Sequence, residues 1–257
     1  MADLQSLVNL VRRKHELRGI AEEVIKKAIE KYQKAHALDI SALSHSEEKQ
    51  IVKDIRASLR HITGRFRAST NERRKLLEKR NYQGLLLTHT STAERISSYP
   101  LIRQKIDELA PRSILDIGCG LNPIALAHQG IDYHAVDINE EELQLIKEFF
   151  EQEHITGTVR VYDIRDIVSG DLPAVDLCLI LKVFDVIERR GHKVAERILN
   201  AIDAPYFLIS FSTKTLSGRP MNHPQRGWIK RLCERRGYHY KEIPTANELF
   251  YLVKKSF

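Results

Sequence analysis

The sequence has little cysteine and no long apolar run, and both absences exclude classes of protein. Its three cysteines stand far apart, in neither a CxxC pair nor a zinc-ligand spacing, at Cys119, Cys178 and Cys233. An odd number without such spacing favours a reduced, intracellular chain with no disulfide framework and no metal site. No apolar run approaches the roughly 18 residues of a membrane span. The N-terminal charges follow the apolar residues, unlike those of a signal peptide. We therefore expect a cytoplasmic protein without a membrane segment.

Glycine and proline are nearly missing from the first third of the chain. Residues 4–80 contain two glycines and no proline. Apolar residues recur at helical spacing in LQSLVNLV and IAEEVIKKAIEKY, which is typical of amphipathic helices. Another helix is predicted in SHSEEKQIVKDIRASLRHI, with its cap at Ser46, and a further one starts near Ser69 in STNERRKLLEKR. This region is predicted to be a bundle of three to five helices.

The positive charge is concentrated in the same region. Residues 1–80 hold 19 Lys and Arg against 11 Asp and Glu, whereas the whole chain has a net charge of +7. The first third therefore accounts for all of the net positive charge. Such an asymmetry is typical of a protein that binds a polyanion, although a solvated helical surface rich in Lys and Arg gives the same pattern.

From about residue 100 onward, strand-like and helix-like segments alternate. Five strands are predicted in RSILDI, DYHAVDI, TVRVYDI, VDLCLILK and APYFLISFS, and a closing antiparallel pair in HYKEIPTANELFYLVKK. Helices are predicted in NPIALAHQG, NEEELQLIKEFFEQEH, DVIERRGHKVAERILNAI and PQRGWIKRLCERRG. Repeated strand–helix units predict an α/β fold with a doubly wound parallel sheet. In such a sheet the ligand binds at the carboxyl ends of the strands, at the switch point.

The segment SILDIGCGLNPIAL, residues 113–126, joins a predicted strand to a helix through a tight Gly-x-Gly turn. A dinucleotide-binding loop has a third glycine where Pro123 stands, so close packing for a pyrophosphate is not supported. Acids stand instead at three successive strand ends, at Asp116, Asp137 and Asp163. They suit a ligand with a ribose diol, an amino group and cationic groups. S-adenosylmethionine has all of these, and it is the predicted cofactor.

Three motifs and the closing strand carry a family resemblance. LDIGCGLNPIAL is similar to motif I of S-adenosylmethionine-dependent methyltransferases. Together with HTSTAERI (89–96) and SFSTKTLSGR (210–219), it resembles the aminoglycoside-resistance 16S rRNA methyltransferases, which methylate a guanine at N7 in the ribosomal decoding site. The final NELFYLVKK resembles that family's last strand. The resemblance implies a Rossmann-like methyltransferase domain over residues 83–257, after a basic helical RNA-binding domain over residues 1–82.

The resemblance also implies which residues contact the cofactor. Gly118 and Gly120 would form the loop under the methionine part. Asp137 would hold the ribose, and Asp163 would face the adenine end. The full set implied for the cofactor is His89, Arg95, Asp116, Gly118, Gly120, Asp137, Ile138, Asp163, Ile164 and Lys182.

Three side chains of this set have roles that only the resemblance supplies. Arg95 would face the cofactor carboxylate, onto which a guanidinium forks, and His89 would position the same segment. Lys182 would lie beside the methyl group as a positioning residue, with no residue acting as a general base. A surface position fits Arg95 and Lys182 as well when the sequence is considered without the family.

The implied partner is 16S rRNA within the assembled small ribosomal subunit, bound by a monomer. Residues 210–219 resemble the family's loop over the target site. The basic N-terminal region would supply the phosphate contacts, which weaken steeply with salt. The residues predicted to bind RNA are Arg12, Arg13, Lys14, Arg65, Arg67, Arg73, Arg74, Lys214, Arg219 and Trp228.

The substrate-facing part departs from the family's pattern, whereas the cofactor part keeps it. Ser212 stands where proline is usual, and Ser217 stands for a glycine. Asn222 and Gln225 occupy the places of a glutamate and a tyrosine, and Trp228 keeps its place. These changes leave the exact target nucleotide and the role in resistance or housekeeping open.

The expected chemistry needs no catalytic base. Guanine N7 has an in-plane lone pair and no proton to lose, so positioning and exclusion of water would supply most of the catalysis. Two other classes of function stay open on the sequence. One is a methyltransferase of another RNA base or of a small molecule, and the other is a non-catalytic RNA-binding homologue.

Overall fold

A seven-stranded sheet organises the second part of the chain within the residues that the structure describes. The structure is a computed structural model that describes residues 3–63, 68–188, 191–214, 219–221 and 224–256. The strands are β1 (Ser113–Ile117), β2 (Asp132–Asp137), β3 (Gly157–Val161), β4 (Leu177–Leu181), β5 (Tyr206–Ser212), β6 (His239–Pro244) and β7 (Glu248–Lys254).

The order of the strands is β3-β2-β1-β4-β5-β7-β6. Strands β1 to β5 pair in parallel, and β7 lies antiparallel between β5 and β6. This confirms the predicted doubly wound sheet and its closing antiparallel pair. The switch point lies between β1 and β4, because the chain turns to opposite edges of the sheet from these two strands.

The central strands are apolar because both faces of the sheet are covered. Along β1, Ile114 packs in one buried cluster, and Leu115 and Ile117 pack in another on the opposite face. Successive side chains of a strand point to opposite faces, so a strand with two buried faces reads as a continuous apolar run.

Some helices surround this sheet, and others form a bundle that precedes it in the sequence. They are α1 (Leu4–Arg12), α2 (Glu22–His36), α3 (His45–Arg60), α4 (Thr70–Glu78), α5 (Tyr82–Leu87), α6 (Thr90–Arg95), α7 (Tyr99–Leu109), α8 (Asn122–Leu126), α9 (Glu140–Glu153), α10 (Phe184–Ile187), α11 (Lys193–Ala201) and α12 (Gly227–Arg236). Among the described residues, none of these helices is both long and apolar enough to cross a membrane.

Two details of the predicted helices are wrong. The single helix predicted over residues 185–202 is divided into α10 and α11. Gly191 and His192 have φ of +81° and +55°, in the left-handed region that cannot continue a right-handed helix. The cap of α3 is Ser44 rather than Ser46. Its hydroxyl accepts from Glu47 N, and the Glu47 carboxylate accepts from Ser44 N, which forms a capping box.

Helices α1, α2 and α3 have an apolar core of their own. It includes Leu7, Val11, Ile25 and Ile55, all of which are buried. The amphipathic pattern of the sequence therefore places its apolar face toward the other helices of the bundle. We call α1–α3 with their connections, residues 4–62, the helical bundle.

Helix α4 packs on the sheet region rather than on the helical bundle. Its Leu77 is 2% exposed and belongs to the same buried cluster as Leu85, Ile106 and Ile114. The division of the chain at residue 82 stays a prediction. Leu77 lies before that boundary, so a truncation at residue 81 would remove part of the sheet's packing along with the helical bundle.

Candidate active site

The glycine turn after β1 brings the backbone close to its neighbours. Gly118 and Gly120 have φ of +60° and +48°, which glycine adopts without steric cost. A Cβ atom at Gly118 would lie 2.7 Å from Val183 Cγ2, and one at Gly120 would lie 3.1 Å from His89 Cε1. The turn therefore leaves no room for a side chain at Gly118 and little at Gly120.

Asp137 ends β2 with its carboxylate held by backbone groups. Oδ2 accepts from Gly120 N at 3.0 Å, and Oδ1 accepts from Ile138 N at 2.7 Å and from Asn139 N at 3.0 Å. Burial raises the pKa of Asp137, while these three donors act in the opposite direction. A carboxylate has about four acceptor sites, so three bonds orient the group and leave capacity for a ribose hydroxyl.

Asp116 is fully buried under the glycine turn. Its Oδ2 accepts from the Tyr133 hydroxyl at 2.8 Å, and its Oδ1 has no hydrogen-bond partner within the described part of the chain. Burial raises the pKa of Asp116 to about 7, against the opposing effects of Tyr133 and Arg95. A buried acceptor without a partner is costly, and a cationic group of a ligand would satisfy it.

Asp163 follows β3 and forms a two-point ion pair with Arg165. The Arg165 Nε and Nη2 atoms lie 2.8 and 2.6 Å from Asp163 Oδ1 and Oδ2. Burial acts to raise the pKa of Asp163, but the Arg165 guanidinium outweighs it and lowers the pKa. The predicted contact with adenine stays a prediction, and an adenine amino group would have to share this carboxylate with Arg165. The neighbouring Ile164 is buried.

Arg95 lies in a buried polar network at the carboxyl end of the sheet. Its Nε lies 3.0 Å from Glu248 Oε1, and its Nη1 lies 2.7 Å from Asn122 Oδ1. Ser210 Oγ donates to the same glutamate at 2.6 Å. Arg95 is 1% exposed, and its Nη2 has no hydrogen-bond partner among the described residues. This donor suits the carboxylate that the resemblance assigns to Arg95.

Lys182 follows β4 with a strained backbone. Its φ of +63° is uncommon for a residue with a side chain, and such strain clusters at functional sites. The Nζ atom lies 2.7 Å from Glu94 Oε2 and 3.6 Å from Glu248 Oε1, and the side chain is 11% exposed. The ammonium group is therefore fixed at the strand end by two carboxylates.

His89 packs beside the glycine turn as a neutral imidazole. Burial lowers the pKa of His89 to about 3, and the positive charges of Arg95, Arg73 and Lys182 act in the same direction. At neutral pH it therefore adds no charge to the site. Its 5% exposure and its contact distance to Gly120 fit the predicted positioning role, which stays a prediction.

Glu248, Asn122 and Glu94 are functional candidates that reasoning from the sequence missed. Each lies in a quoted motif, NELFYLVKK, GLNPIAL or HTSTAERI. For Glu248, the sequence signal was a single acid at the start of the apolar strand β7. A buried acid requires a partner, but the sequence does not show that the partner is Arg95, 153 residues away.

The segment predicted to face the RNA target is described only at its ends. Residues 215–218 and 222–223 lie outside the described residues, so nothing is assigned to Ser217 or Asn222. Lys214 and Arg219 are both exposed, and Lys214 Nζ donates to Asn247 Oδ1 at 2.6 Å. Trp228 is half-buried, and its ring stacks on His192 with centroids 4.4 Å apart.

The arginines and the lysine predicted to bind RNA near the N-terminus differ in their placement. Arg13, Lys14 and Arg74 are exposed, and Arg65 and Arg67 lie outside the described residues. Arg12 bridges Glu22 and Glu140 at 3.2 and 3.0 Å. Arg73 is 3% exposed and lies 3.7 Å from Glu141. The burial of Arg73 disfavours the predicted contact, because a phosphate-binding guanidinium must be accessible.

Two surface depressions lie away from the strand ends. One is near α11 and α12, and the other lies between α1 and α3. The second is lined by Leu10, Arg13, His45, Glu48, Lys49, Val52, Lys53, Arg56 and Arg60. Arg56 Nε is buried without a hydrogen-bond partner among the described residues. Burial lowers the pKa of Arg56, and nearby Arg60 lowers it further. We call this depression the basic groove.

The described residues fit S-adenosylmethionine at the strand ends. The glycine turn gives close approach, Asp137 offers acceptors for a ribose, and Asp116 Oδ1 and Arg95 Nη2 are buried polar atoms that lack partners. Acceptor and donor match the ammonium and carboxylate of the cofactor's methionine part.

Comparisons with known proteins show the family of the chain. Over residues 13–252 the sequence matches the family described as ribosomal RNA methyltransferase (FmrO). A 16S rRNA (guanine(1405)-N(7))-methyltransferase of Frankia casuarinae is 28% identical over 180 residues, which are 65% of this chain and 61% of the relative. The protein of the same description from Serratia marcescens is 28% identical over 218 residues, 82% of this chain and 86% of the relative.

A solved structure shares the fold over nearly the whole chain. The 16S rRNA methyltransferase RmtF, in complex with S-adenosyl-L-homocysteine, superimposes with a TM-score of 0.79 at 23% identity and covers 98% of both chains. It confirms the Rossmann-like methyltransferase fold. The match to the family extends from the helical bundle to β7. The chain belongs to the ribosomal RNA methyltransferase (FmrO) family.

Proposed function

We propose that the protein transfers a methyl group from S-adenosylmethionine to N7 of a guanine in 16S rRNA, in the decoding region of the small ribosomal subunit. The observation that carries this proposal is the glycine turn with Asp116 and Asp137 at adjacent strand ends, within a chain of an rRNA methyltransferase family. The names of the Frankia and Serratia relatives support guanine N7 as the acceptor.

The residues at the strand ends would hold the cofactor. Gly118 and Gly120 give the methionine part access to the backbone, and Asp137 accepts from the ribose. Arg95 Nη2 donates to the carboxylate, and Asp116 Oδ1 faces a positive group. The bound cofactor supplies an electrophilic methyl group on its sulfonium.

The chain's contribution to the chemical step is positioning. The cofactor would supply the methyl group as its carbon–sulfur bond breaks, and because N7 has a lone pair and no proton to lose, no residue of the chain would have to act as a base. Holding two reactants in line can contribute on the order of 7–11 kcal/mol. Lys182, fixed by Glu94 and Glu248 at the end of β4, borders this place, where water must be excluded.

The helical bundle would dock on the RNA. In A-form RNA the deep, narrow major groove hides guanine N7, so the base must be presented from distorted RNA or extruded. Contacts to many phosphates offset that cost. Arg13, Lys14 and the basic groove provide exposed positive charge for this purpose. A substrate within the assembled small subunit would be met in the cytoplasm.

Chain cleavage at N7-methylguanine tests the proposal. Small ribosomal subunits are incubated with the protein and S-adenosylmethionine, treated with borohydride and aniline, and mapped by primer extension. We expect one new stop in the decoding region, and a much weaker one with the Asp137→Ala variant when S-adenosylmethionine is limiting. Incorporation of methyl groups without such a stop would show a different base or position. No incorporation, with the cofactor bound, would favour a non-catalytic RNA-binding homologue.

Aminoglycoside resistance would follow from the same product. Methylation at N7 places a fixed positive charge on the guanine ring and removes its acceptor. Both changes oppose the binding of an ammonium-rich drug at that base. Expression in a sensitive bacterium should raise the concentration of such a drug needed to stop growth, and the Asp137→Ala variant should raise it less.

A further inference from the structure

A turn of the helical bundle lies directly against the residues that follow Asp137. Ala21 N donates to Ile138 O at 3.0 Å, and Glu140 N donates to Gly19 O at 2.8 Å. Between these bonds, Ile20 and Asn139 form an antiparallel bridge. The backbone of residues 138–140 is therefore held by the bundle on both sides of Asn139.

The same short segment orients the Asp137 carboxylate. Ile138 N and Asn139 N both donate to Asp137 Oδ1, at 2.7 and 3.0 Å. The Asn139 side chain accepts from Glu142 N at 3.2 Å and caps α9. This segment therefore makes two sets of contacts. Ile138 O and Glu140 N bond to the helical bundle, and the N–H groups of Ile138 and Asn139 bond to the Asp137 carboxylate.

Gly19 makes the contact close enough for this arrangement. A Cβ atom there would lie 2.5 Å from Asn139 Oδ1 and 3.0 Å from its Cγ. The backbone of Gly19 is outside the left-handed region, so glycine is required for space and not for conformation. A side chain there would displace the side chain of Asn139, which caps α9. Arg12 strengthens the same junction through its ion pair with Glu140 at 3.0 Å.

We propose that the Gly19–Ala21 turn is a positioning element of the cofactor site, which sets the N–H groups of Ile138 and Asn139 that orient Asp137. The inference rests on the proposed function in one respect, namely that Asp137 holds the cofactor's ribose. It means that the helical bundle both docks on RNA and completes the cofactor site. Because coupling between two ligands is reciprocal, RNA docking and cofactor binding would then alter each other by the same factor.

Two variants of the full-length protein test the turn. Gly19→Ala displaces Asn139, and Ala21→Pro removes the N–H that donates to Ile138 O. Ala21 has φ of −59°, which proline adopts, so the second variant suits the conformation of residue 21 and its effect falls on the contact with Ile138 O. We expect each to weaken the binding of S-adenosyl-L-homocysteine, measured by calorimetry, by roughly tenfold, which is about 1.4 kcal/mol.

A rescue and a double-variant cycle separate positioning from general damage. Asn139→Ser shortens the clashing side chain but keeps a good helix cap, so it should restore binding to Gly19→Ala. In an Asp137→Ala background, Gly19→Ala should have little further effect, because both changes act on one carboxylate. Thermal unfolding without ligand checks that each variant is folded.

The outcomes distinguish this inference from the proposed function. If the wild type fails to bind S-adenosyl-L-homocysteine, or Asp137→Ala binds as well as the wild type, the cofactor assignment fails. If those two hold, unchanged affinity in both turn variants would overturn the positioning role alone. An equal loss from Gly19→Ala with and without Asp137 would also overturn it, since the effect would not pass through that carboxylate.

Discussion

The helical bundle and the carboxyl edge of the sheet differ in where their charged side chains lie. Among the described residues, every buried polar or charged side chain lies at residue 73 or later, as Asp116, Arg95 and Glu248 do, and none lies within the bundle. The bundle instead carries its cations on the surface and along the basic groove. Exposed charge attracts a polyanion at long range, whereas buried, paired charge fixes the geometry of a small ligand. The two regions therefore suit two successive steps, docking and alignment.

The largest loss of stability is expected when Glu248, the anion of the buried network at the sheet edge, is replaced. Glu248→Ala should destabilise the fold by about 3–5 kcal/mol, since it leaves the Arg95 guanidinium buried without its charge partner. Denaturant unfolding measures the change. Glu94→Ala is the matched control, because the Glu94 side chain is 51% exposed and an exposed pair contributes about 0–1 kcal/mol. Equal losses in the two variants would contradict the contrast between buried and exposed charge.

A smaller effect is expected at the oriented carboxylate. Asp137→Ala should weaken the binding of S-adenosyl-L-homocysteine by roughly 1–3 kcal/mol, because hydrogen bonds to a charged group are lost. Asp132→Ala, at the other end of the same strand, should leave the affinity unchanged. Calorimetry checks both variants, and unaltered binding in Asp137→Ala would remove this residue from the site.

The pH dependence of stability should depend on His89. Its pKa is lowered to about 3 in the folded protein from a reference of 6.5, so its contribution to stability is complete above pH 6.5 and falls as the pH drops toward 3. At pH 5 the unfolded state gains about 2 kcal/mol by protonating this imidazole. The difference in unfolding free energy between wild type and His89→Gln should therefore shift by that amount between pH 7.5 and 5, in favour of the variant. A constant difference would contradict the burial of a neutral imidazole.

The smallest change in stability, with a clear change in function, is expected in the bundle. Lys49→Glu with Lys53→Glu reverses two exposed charges of the basic groove. Binding to small subunits should weaken and lose part of its salt dependence, whereas affinity for S-adenosyl-L-homocysteine should stay the same. Lys241→Glu with Lys254→Glu, two exposed lysines of β6 and β7, is the matched control. Equal loss of binding in the two pairs would indicate net charge rather than the groove.

The sequence predicted what depends on local pattern. Apolar runs that end in Asp116 and Asp137 located the strand ends, and the Gly-x-Gly turn located the cofactor loop. Helical spacing located the bundle, and the helix predicted to start near Ser69 is confirmed as α4, which Ser69 caps. These features are set by neighbours within a few residues, which a single sequence shows.

Pairs that form across long separations were not predictable in the same way. Arg95 was expected to face the cofactor, yet two of its three side-chain nitrogens bond to Glu248 and Asn122. Arg12 was expected to contact RNA, yet it joins the bundle to α9 through Glu140. In both cases the tertiary structure determines which partner the charged side chain contacts. A sequence shows that a charge is present, but only the packed structure shows which opposite charge reaches it.

The stack of Trp228 on His192 has a practical consequence. The chain contains one tryptophan, and its ring also meets Phe184 and Phe211 edge-on, with centroids 5.8 and 5.7 Å away. Phe184 begins α10, two residues after Lys182. All indole fluorescence of the protein therefore arises from one place, next to the end of β4. Its emission is an intrinsic, label-free optical reporter of events at that edge of the sheet.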